Sequence, residues 1–429
     1  MAKAVKLSIF IFLLWWPLSY CLQVIHEGPL DGQWIKAEDI SWNRDNWFTE
    51  NYQKRKEDFI NENFTGHATL VRVHNQVALW LFNKAQSRST IVGREYYVFG
   101  QDYIDSWYGK DYIGMEKINE NVNKLRVIRD SLKHFNTDLL IVIAPGKGSF
   151  YHEYFPFFTD GWKKTRTNYE EYCDALKNSG INTIDFNSYF LSMKNKSPYT
   201  LYTKTGIHWS YYGMTLCMDS LCRSIEKMRG IDMPDMHYKK LIQTDSVSDW
   251  DMDVEMGMNL LFEIKKPPMT YPVLDFISAG KTKPHTIVIG DSFFWTALLS
   301  GMAEKEFTDP QFWFYYSSIN YTGGRKADEV AYVDVMKELK KQDVVILLCN
   351  DAKLSNLGWG FIDKAYNDLT RCVVYDSLYI GKIKKYESQI RADANWLEQV
   401  KQKAILNKLS LDSMIHRDAI YLIEHEKDK

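Results

Sequence analysis

Thr286-Ile287-Val288-Ile289, followed by Gly290-Asp291-Ser292 and Phe293-Phe294-Trp295, reads as an apolar strand, a tight turn and the opening of a helix. A serine at such a turn shows its hydroxyl above the edge of a sheet. There its own N–H and the helix N-terminus can stabilise the negative charge that develops in acyl transfer. The hydroxyl needs a base. Thr205-Gly206-Ile207-His208-Trp209, much earlier in the chain, supplies His208 as the candidate. Gly-Asp-Ser alone is short, and Asp-Ser often only caps a helix. The strand-turn-helix setting and the presence of both motifs together carry the reading.

The same alternation of apolar runs and helical patterns extends to either side. Leu139 to Ala144, entered from Asp138 and closed by Pro145-Gly146, reads as a buried strand and loop, preceded by helical spacing from Ile118 to Phe135. Further units are a helix over Glu170 to Asn178, a strand over Asn182 to Phe186 and a helix over Tyr211 to Met228. A helix over Val330 to Lys340 then leads into a strand over Asp343 to Cys349. This order predicts an α/β fold, a mostly parallel sheet covered on both faces, with functional residues at the carboxyl ends of its strands. The C-terminal stretch, 381–429, carries hydrophobics at helical spacing, as from Trp396 through Val400 to Ile405. It reads as two or three amphipathic helices packed back on the α/β unit.

The chain has 429 residues, 45% hydrophobic and 25% charged, with net charge −2, enough for a substantial core. No long basic run is present, so composition gives no support for a nucleic-acid partner. Lys3 and Lys6 precede an uncharged stretch from Leu7 to Ile25, which reads as an export signal. Residues 1–25 are thus a signal peptide or signal anchor; Trp16-Pro17-Leu18-Ser19-Tyr20-Cys21 lacks the small residues of a cleavage site, which favours the anchor, with the lysines on the cytoplasmic side. The other cysteines are Cys173, Cys217, Cys222, Cys349 and Cys372. They lack zinc-site spacing, and one disulfide such as Cys349 with Cys372 stays open. The acidic stretch Asp249 to Glu255 fails as a calcium loop, because Val254 and Leu260 stand where glycine and glutamate are required. It reads as a helix start or acidic rim. No metal site is expected.

Four segments in order resemble the alginate O-acetyltransferase-like family, whose SGNH-hydrolase-like domains serve acetylation of bacterial exopolysaccharides. They are Ile91 to Phe99, then Ala144-Pro145-Gly146-Lys147 with Tyr151 and Pro156, then Tyr202 to Ser210 with Gly213, and Gly290-Asp291-Ser292-Phe293. The histidine motif precedes the serine motif. That order is the one shown by the acetyltransferase-like branch, whereas ordinary GDS esterases place the serine first. The resemblance implies a three-layer SGNH-like domain over 26–380 with Ser292 and His208 catalytic. It also implies a polysaccharide acceptor and a membrane-bound O-acyltransferase as acetyl supplier. No diffusible cofactor is implied, and the expected location is periplasmic or cell-surface, tethered to the inner membrane.

One position departs from the family, whose histidine motif carries an aspartate two residues before the histidine. Here that position is Gly206. Loss of a triad acid can cost about 10⁴-fold in turnover. Three explanations stand: Asp185 orients His208, a Ser-His dyad suffices, or the protein is a silent binding relative. For the oxyanion, the Ser292 N–H is the first donor, with Asn320, Gly323 or Gly324 as a second and Arg325 in the same loop. Lys147 and Trp209 are the expected substrate contacts, Trp295 is a further aromatic near the site, and Asn350 and Asp351 fall at a strand end. The leading function is an exported polysaccharide O-acetyltransferase. The alternatives are a carbohydrate esterase and a catalytically silent carbohydrate-binding or scaffold subunit.

Overall fold

The computed structural model describes the chain except residues 1, 22–27, 33–36, 49–50, 64–65, 324–326, 372–376, 408 and 426–429. Its centre is a seven-stranded sheet. In chain order the strands are β1 (Asp138–Ala144), β2 (Asn182–Asp185), β3 (His285–Gly290), β4 (Thr308–Phe314), β5 (Ser318–Tyr321), β6 (Asp328–Glu329) and β7 (Val344–Asn350). Their spatial order is β6-β5-β4-β3-β7-β1-β2. The run from β4 to β2 is parallel, while β5 and β6 close one edge antiparallel. The sheet is mostly parallel, as the alternating pattern predicted.

Burial on both faces explains why β1, β3 and β7 are almost purely apolar. Leu140, Val142, Val288, Ile346 and Leu348 face one layer, while Leu139, Ile141, Ile143, Ile287, Ile289, Val345 and Leu347 face the other. The second layer contains α1 (Met115–Lys133) and α2 (Asn168–Ser179), and the first contains the short α3 (Phe186–Met193) and α4 (Tyr211–Arg229). Truncating one fully buried strand residue such as Ile289 to Ala should cost about 2–5 kcal/mol.

The register aligns the carboxyl ends. Leu348 of β7 lies opposite Gly290 of β3, and Asn350 lies opposite Ala144 of β1. Consequently the loops starting at Asp291, Pro145 and Asp351 share one end of the sheet, the end where open α/β sheets bind ligands.

Two expected boundaries shift, and so does one expected packing. Phe186 starts α3 instead of ending β2, because Asp185 caps that helix by accepting from the Ser188 N–H at 2.9 Å. The helix expected over Val330 to Lys340 is a 3₁₀ turn, Val330–Tyr332, and a short helix, Val335–Leu339, whose start is fixed by the Asp334 cap. The C-terminal helices Ser377–Ala392, Ala394–Leu406 and Leu411–His425 bury Ile390, Val400, Met414 and Ile415 mainly against one another. Arg417 lies over the Tyr332 ring, 5.0 Å from its centre, and ties them to the α/β unit.

At the other terminus Ala2–Cys21 is helical, with Leu7, Phe10 and Ile11 exposed. No helix among the described residues is long and apolar enough to cross a membrane. Residues 22–25 of the expected anchor lie outside the described residues.

Candidate active site

The serine is held by the end of the sheet itself. After Gly290, the buried Asp291 accepts from the Phe293 N–H at 3.1 Å and from the Asn350 N–H at 2.6 Å, fastening the turn to β7. Burial pushes its carboxyl up to about 6. Gly290 also accepts from the Tyr315 N–H at 2.9 Å, so the turn is tied to the end of β4 as well. Ser292 is half-buried and leads into α5 (Phe294–Leu299).

The histidine sits on a loop built outside the sheet. Tyr202 and Trp209 form an antiparallel bridge that closes the loop between them. The Tyr202 hydroxyl donates to the Ile207 carbonyl at 2.8 Å, and Lys147 donates to the carbonyls of Lys204, at 2.8 Å, and Gly206. Phe293 meets the His208 ring edge-on, with centroids 4.9 Å apart. His208 Nε2 thereby lies 2.7 Å from Ser292 Oγ.

The acid on the other ring nitrogen is Asp253. Its Oδ2 lies 2.7 Å from His208 Nδ1, and its Oδ1 accepts from the Ile207 N–H at 3.1 Å. Asp253 begins a short helix, Asp253–Met258, inside the acidic stretch that reads as a rim in the sequence. The alternate acids there form a clamp. Asp251 accepts from the Tyr211 N–H at 3.2 Å, and the Glu255 N–H donates to the Thr205 carbonyl at 3.2 Å. Glu255 itself accepts from the Ile264 N–H at 2.6 Å and pairs with half-buried Lys266 at 2.7 Å.

Gly206 belongs to the same arrangement. A Cβ at this position would lie 2.6 Å from Asp253 Oδ1 and 2.7 Å from Thr203 Oγ1. The place of a side chain there is filled by the Asp253 carboxylate. Burial alone would lower the His208 pKa, but the charge and hydrogen bond of Asp253, with Asp291 behind, outweigh it and the net shift is upward. A carboxylate on Nδ1 and a hydroxyl on Nε2 form the geometry that activates a serine for acyl transfer.

Residues 98–258 match the family of the SGNH hydrolase-like domain of the acetyltransferase AlgX. The chain resembles the alginate O-acetyltransferase-like family. The matched segment holds Lys147, His208 and Asp253 but stops short of Ser292, and it covers well under half of the chain. The fold is similar to the O-acetyltransferase domain of Pseudomonas putida AlgJ, with 14% identity and a TM-score of 0.41 over 65% of this chain and 99% of that one. Pseudomonas aeruginosa AlgX gives 15% identity and a TM-score of 0.40 over 64% of this chain and 66% of that one. Bacillus cereus PatB1 gives 13% and 0.37, over 60% and 95%. No curated protein sequence matches the chain.

Beside this Ser-His-Asp centre, several expected residues have other tasks. Asp185 caps α3 and accepts from the Tyr169 hydroxyl at 2.8 Å; the place on His208 expected of it is taken by Asp253. Lys147 is fully buried beneath the histidine loop, not solvated, and burial pushes its ammonium down to about 7 despite the charge of Asp253. Trp209 is also buried, packed edge-on against Phe293 at 5.2 Å. Trp295 is half-buried against Phe312 and Phe314. The Asn320 amide is engaged by the Phe312 carbonyl and Ser318 of its own hairpin.

Gly323 takes a left-handed turn, whereas Gly324 and Arg325 lie outside the described residues. So does Cys372; Cys349 is a free, buried thiol in β7. Asn350 donates to the Pro145 carbonyl at 2.6 Å, and Asp351 accepts from the Ser149 hydroxyl, so both brace the loops behind the serine. Two residues beside the pair escaped the sequence reading. One is Asp253, whose only sequence signal was the absence of an acid at Gly206. The other is Tyr315, whose N–H donates to the Gly290 carbonyl at 2.9 Å at the base of the serine turn.

Proposed function

We propose that this protein transfers an acetyl group through Ser292 to a hydroxyl of a polysaccharide. The supporting observation is the continuous Asp253, His208, Ser292 relay, with both hydrogen bonds at 2.7 Å. Ser292 Oγ attacks the acetyl carbonyl carbon while its proton passes to His208 Nε2. The tetrahedral adduct collapses, the bond to the donor's leaving oxygen breaks, and the imidazolium returns the proton to that oxygen. In the second half, His208 takes the proton of a sugar hydroxyl as that oxygen attacks the acetyl-serine. Ser292 then leaves as the alcohol with the proton from His208. Asp253 keeps the Nδ1–H tautomer and stabilises the imidazolium in both halves. The Ser292 N–H is the proposed oxyanion donor.

Resemblance supplies the rest of the reading. Residues 1–25 direct export to the periplasm or cell surface and tether the protein there, and a membrane-bound O-acyltransferase delivers the acetyl group. The silent-subunit alternative drew its motive from Gly206, and an acid on His208 removes that motive. An esterase would use the same first half with water as acceptor.

Purified protein, assayed with a chromogenic acetyl ester with and without an oligosaccharide acceptor, separates these outcomes. Acetyl-oligosaccharide formation that disappears in Ser292→Ala is the expected result. Release of acetate with no acetylated sugar in any acceptor format would make the protein an esterase, and indistinguishable wild type and Ser292→Ala would overturn catalysis altogether.

A further inference from the structure

Two aromatic residues in loops at the serine end of the sheet stand in backbone conformations that bulky side chains rarely adopt. Tyr315 follows β4 at φ 49°, and Trp359 lies in the loop after β7 at φ 47°, between Gly358 at 78° and Gly360 at 94°. The left-handed region is unfavourable for residues with large side chains, by about 1–3 kcal/mol where the surroundings enforce it. A turn that served chain reversal alone would place glycine or asparagine there without that cost. Here the two loops, from different strands, converge. The Tyr315 and Trp359 rings meet edge-to-face with centroids 5.1 Å apart, and both residues remain half-buried.

Tyr315 fixes this pair against the nucleophile. Its N–H donates to the Gly290 carbonyl at 2.9 Å, two residues before the serine. Near it lies a polar pair, Lys353 with Asp102, with Nζ 2.6 Å from Oδ2 and each side chain 37% exposed. An aromatic face offers apolar contact to the C–H face of a pyranose ring, and a lysine-carboxylate pair offers donors and acceptors to its hydroxyls.

We propose that Trp359 and Tyr315 form the wall of an acceptor subsite that holds a neutral hexopyranose beside Ser292, with Lys353 and Asp102 bonding its hydroxyls. The neutral class follows from Lys353, whose charge is already matched by Asp102. This subsite rests on the acetyl-transfer reading for its role, but sugar binding at Trp359 can be measured without any turnover.

The test uses Ser292→Ala protein, titrated with a glucose tetrasaccharide and, separately, a mannuronate tetrasaccharide, followed by calorimetry. Trp359→Asn in this background tolerates the left-handed turn, and Trp359→Phe keeps an aromatic face. The glucose tetrasaccharide should bind about tenfold more weakly to the asparagine variant, with most of the affinity restored by phenylalanine. Trp80→Asn, which changes an exposed ring on the separate helix His67–Phe82, serves as the control. In otherwise wild-type protein, Trp359→Asn should lower the ratio of acetyl transfer to ester hydrolysis by a similar factor.

Equal binding by the Trp359→Asn variant and its parent, or no binding of either sugar, overturns the subsite. Trp359-dependent binding of mannuronate alone overturns the neutral assignment. If Ser292→Ala and wild type are indistinguishable in turnover but glucose binding still depends on Trp359, acetyl transfer fails while the subsite stands.

Discussion

Ser292 and His208 meet from two regions held together by different physics. The serine stands on a buried parallel sheet, where consecutive residues Thr286 to Phe293 make the strand, the turn and the helix entry. The histidine stands on a loop tied down by polar groups: Lys147 and the Glu255 N–H donate to its carbonyls, Asp253 holds the imidazole, and Asp251 holds the Tyr211 N–H behind it. Hydrophobic burial fixes the first region redundantly, since each strand residue contributes a small share. Polar clamps fix the second, and each one matters singly because a buried group left unpaired loses its full solvation.

The contrast is sharpest at Asp253. Asp253→Ala should reduce turnover of a chromogenic acetyl ester by about 10⁴-fold, by removing the group that orients the imidazole. The pH profile gives a second readout. His208 must be neutral to accept the serine proton, and its raised pKa places the acid limb of the wild-type profile above the ordinary histidine value of 6.5. In Asp253→Asn the raising influences of Asp253 are gone and burial remains, so the residual activity should show an acid limb at lower pH. A limb that does not move would break the assignment of Asp253.

Glu255→Ala leaves the Ile264 N–H unpaired and Lys266 with only its longer pair to Glu263, and should cost about 3 kcal/mol in denaturant unfolding. A loss within the usual surface range of about 0.5 kcal/mol would show that the clamp is dispensable. Gly206→Ala drives a methyl toward the Asp253 carboxylate, and should lower kcat by roughly 10²-fold through displacement of the acid. The smallest effect belongs to Asp185→Ala, which removes a helix cap and should lower stability by about 1 kcal/mol while kcat keeps the wild-type pH profile. A profile altered as strongly as that of Asp253→Asn would restore Asp185 as the orienting acid.

The fold was legible where burial imposes a local pattern. Leu139 to Ala144 and Asp343 to Cys349 could be read as interior strands because both of their faces are covered, which demands apolar residues in sequence. The helix expected over Val330 to Lys340 was less so, since Asp334 interrupts an apolar spacing with a cap that only its backbone conformation discloses. Lys147 reads in the sequence as a substrate contact on a loop. Nothing in its neighbours announces that two carbonyls from the histidine loop will cover it.

By itself, then, the sequence determined the parallel sheet, the turn that raises Ser292, and His208 as the base to look for, because each depends on residues adjacent in the chain or on a short motif. Tertiary structure decided which acid reaches the imidazole and which rings surround the serine. Asp253 replaces a side chain at Gly206, and Tyr315 meets Trp359, only because loops distant in sequence return to the same end of the sheet. Charge pairing and ring contact act through space over a few ångströms, and the spacing of residues along the chain carries no record of them.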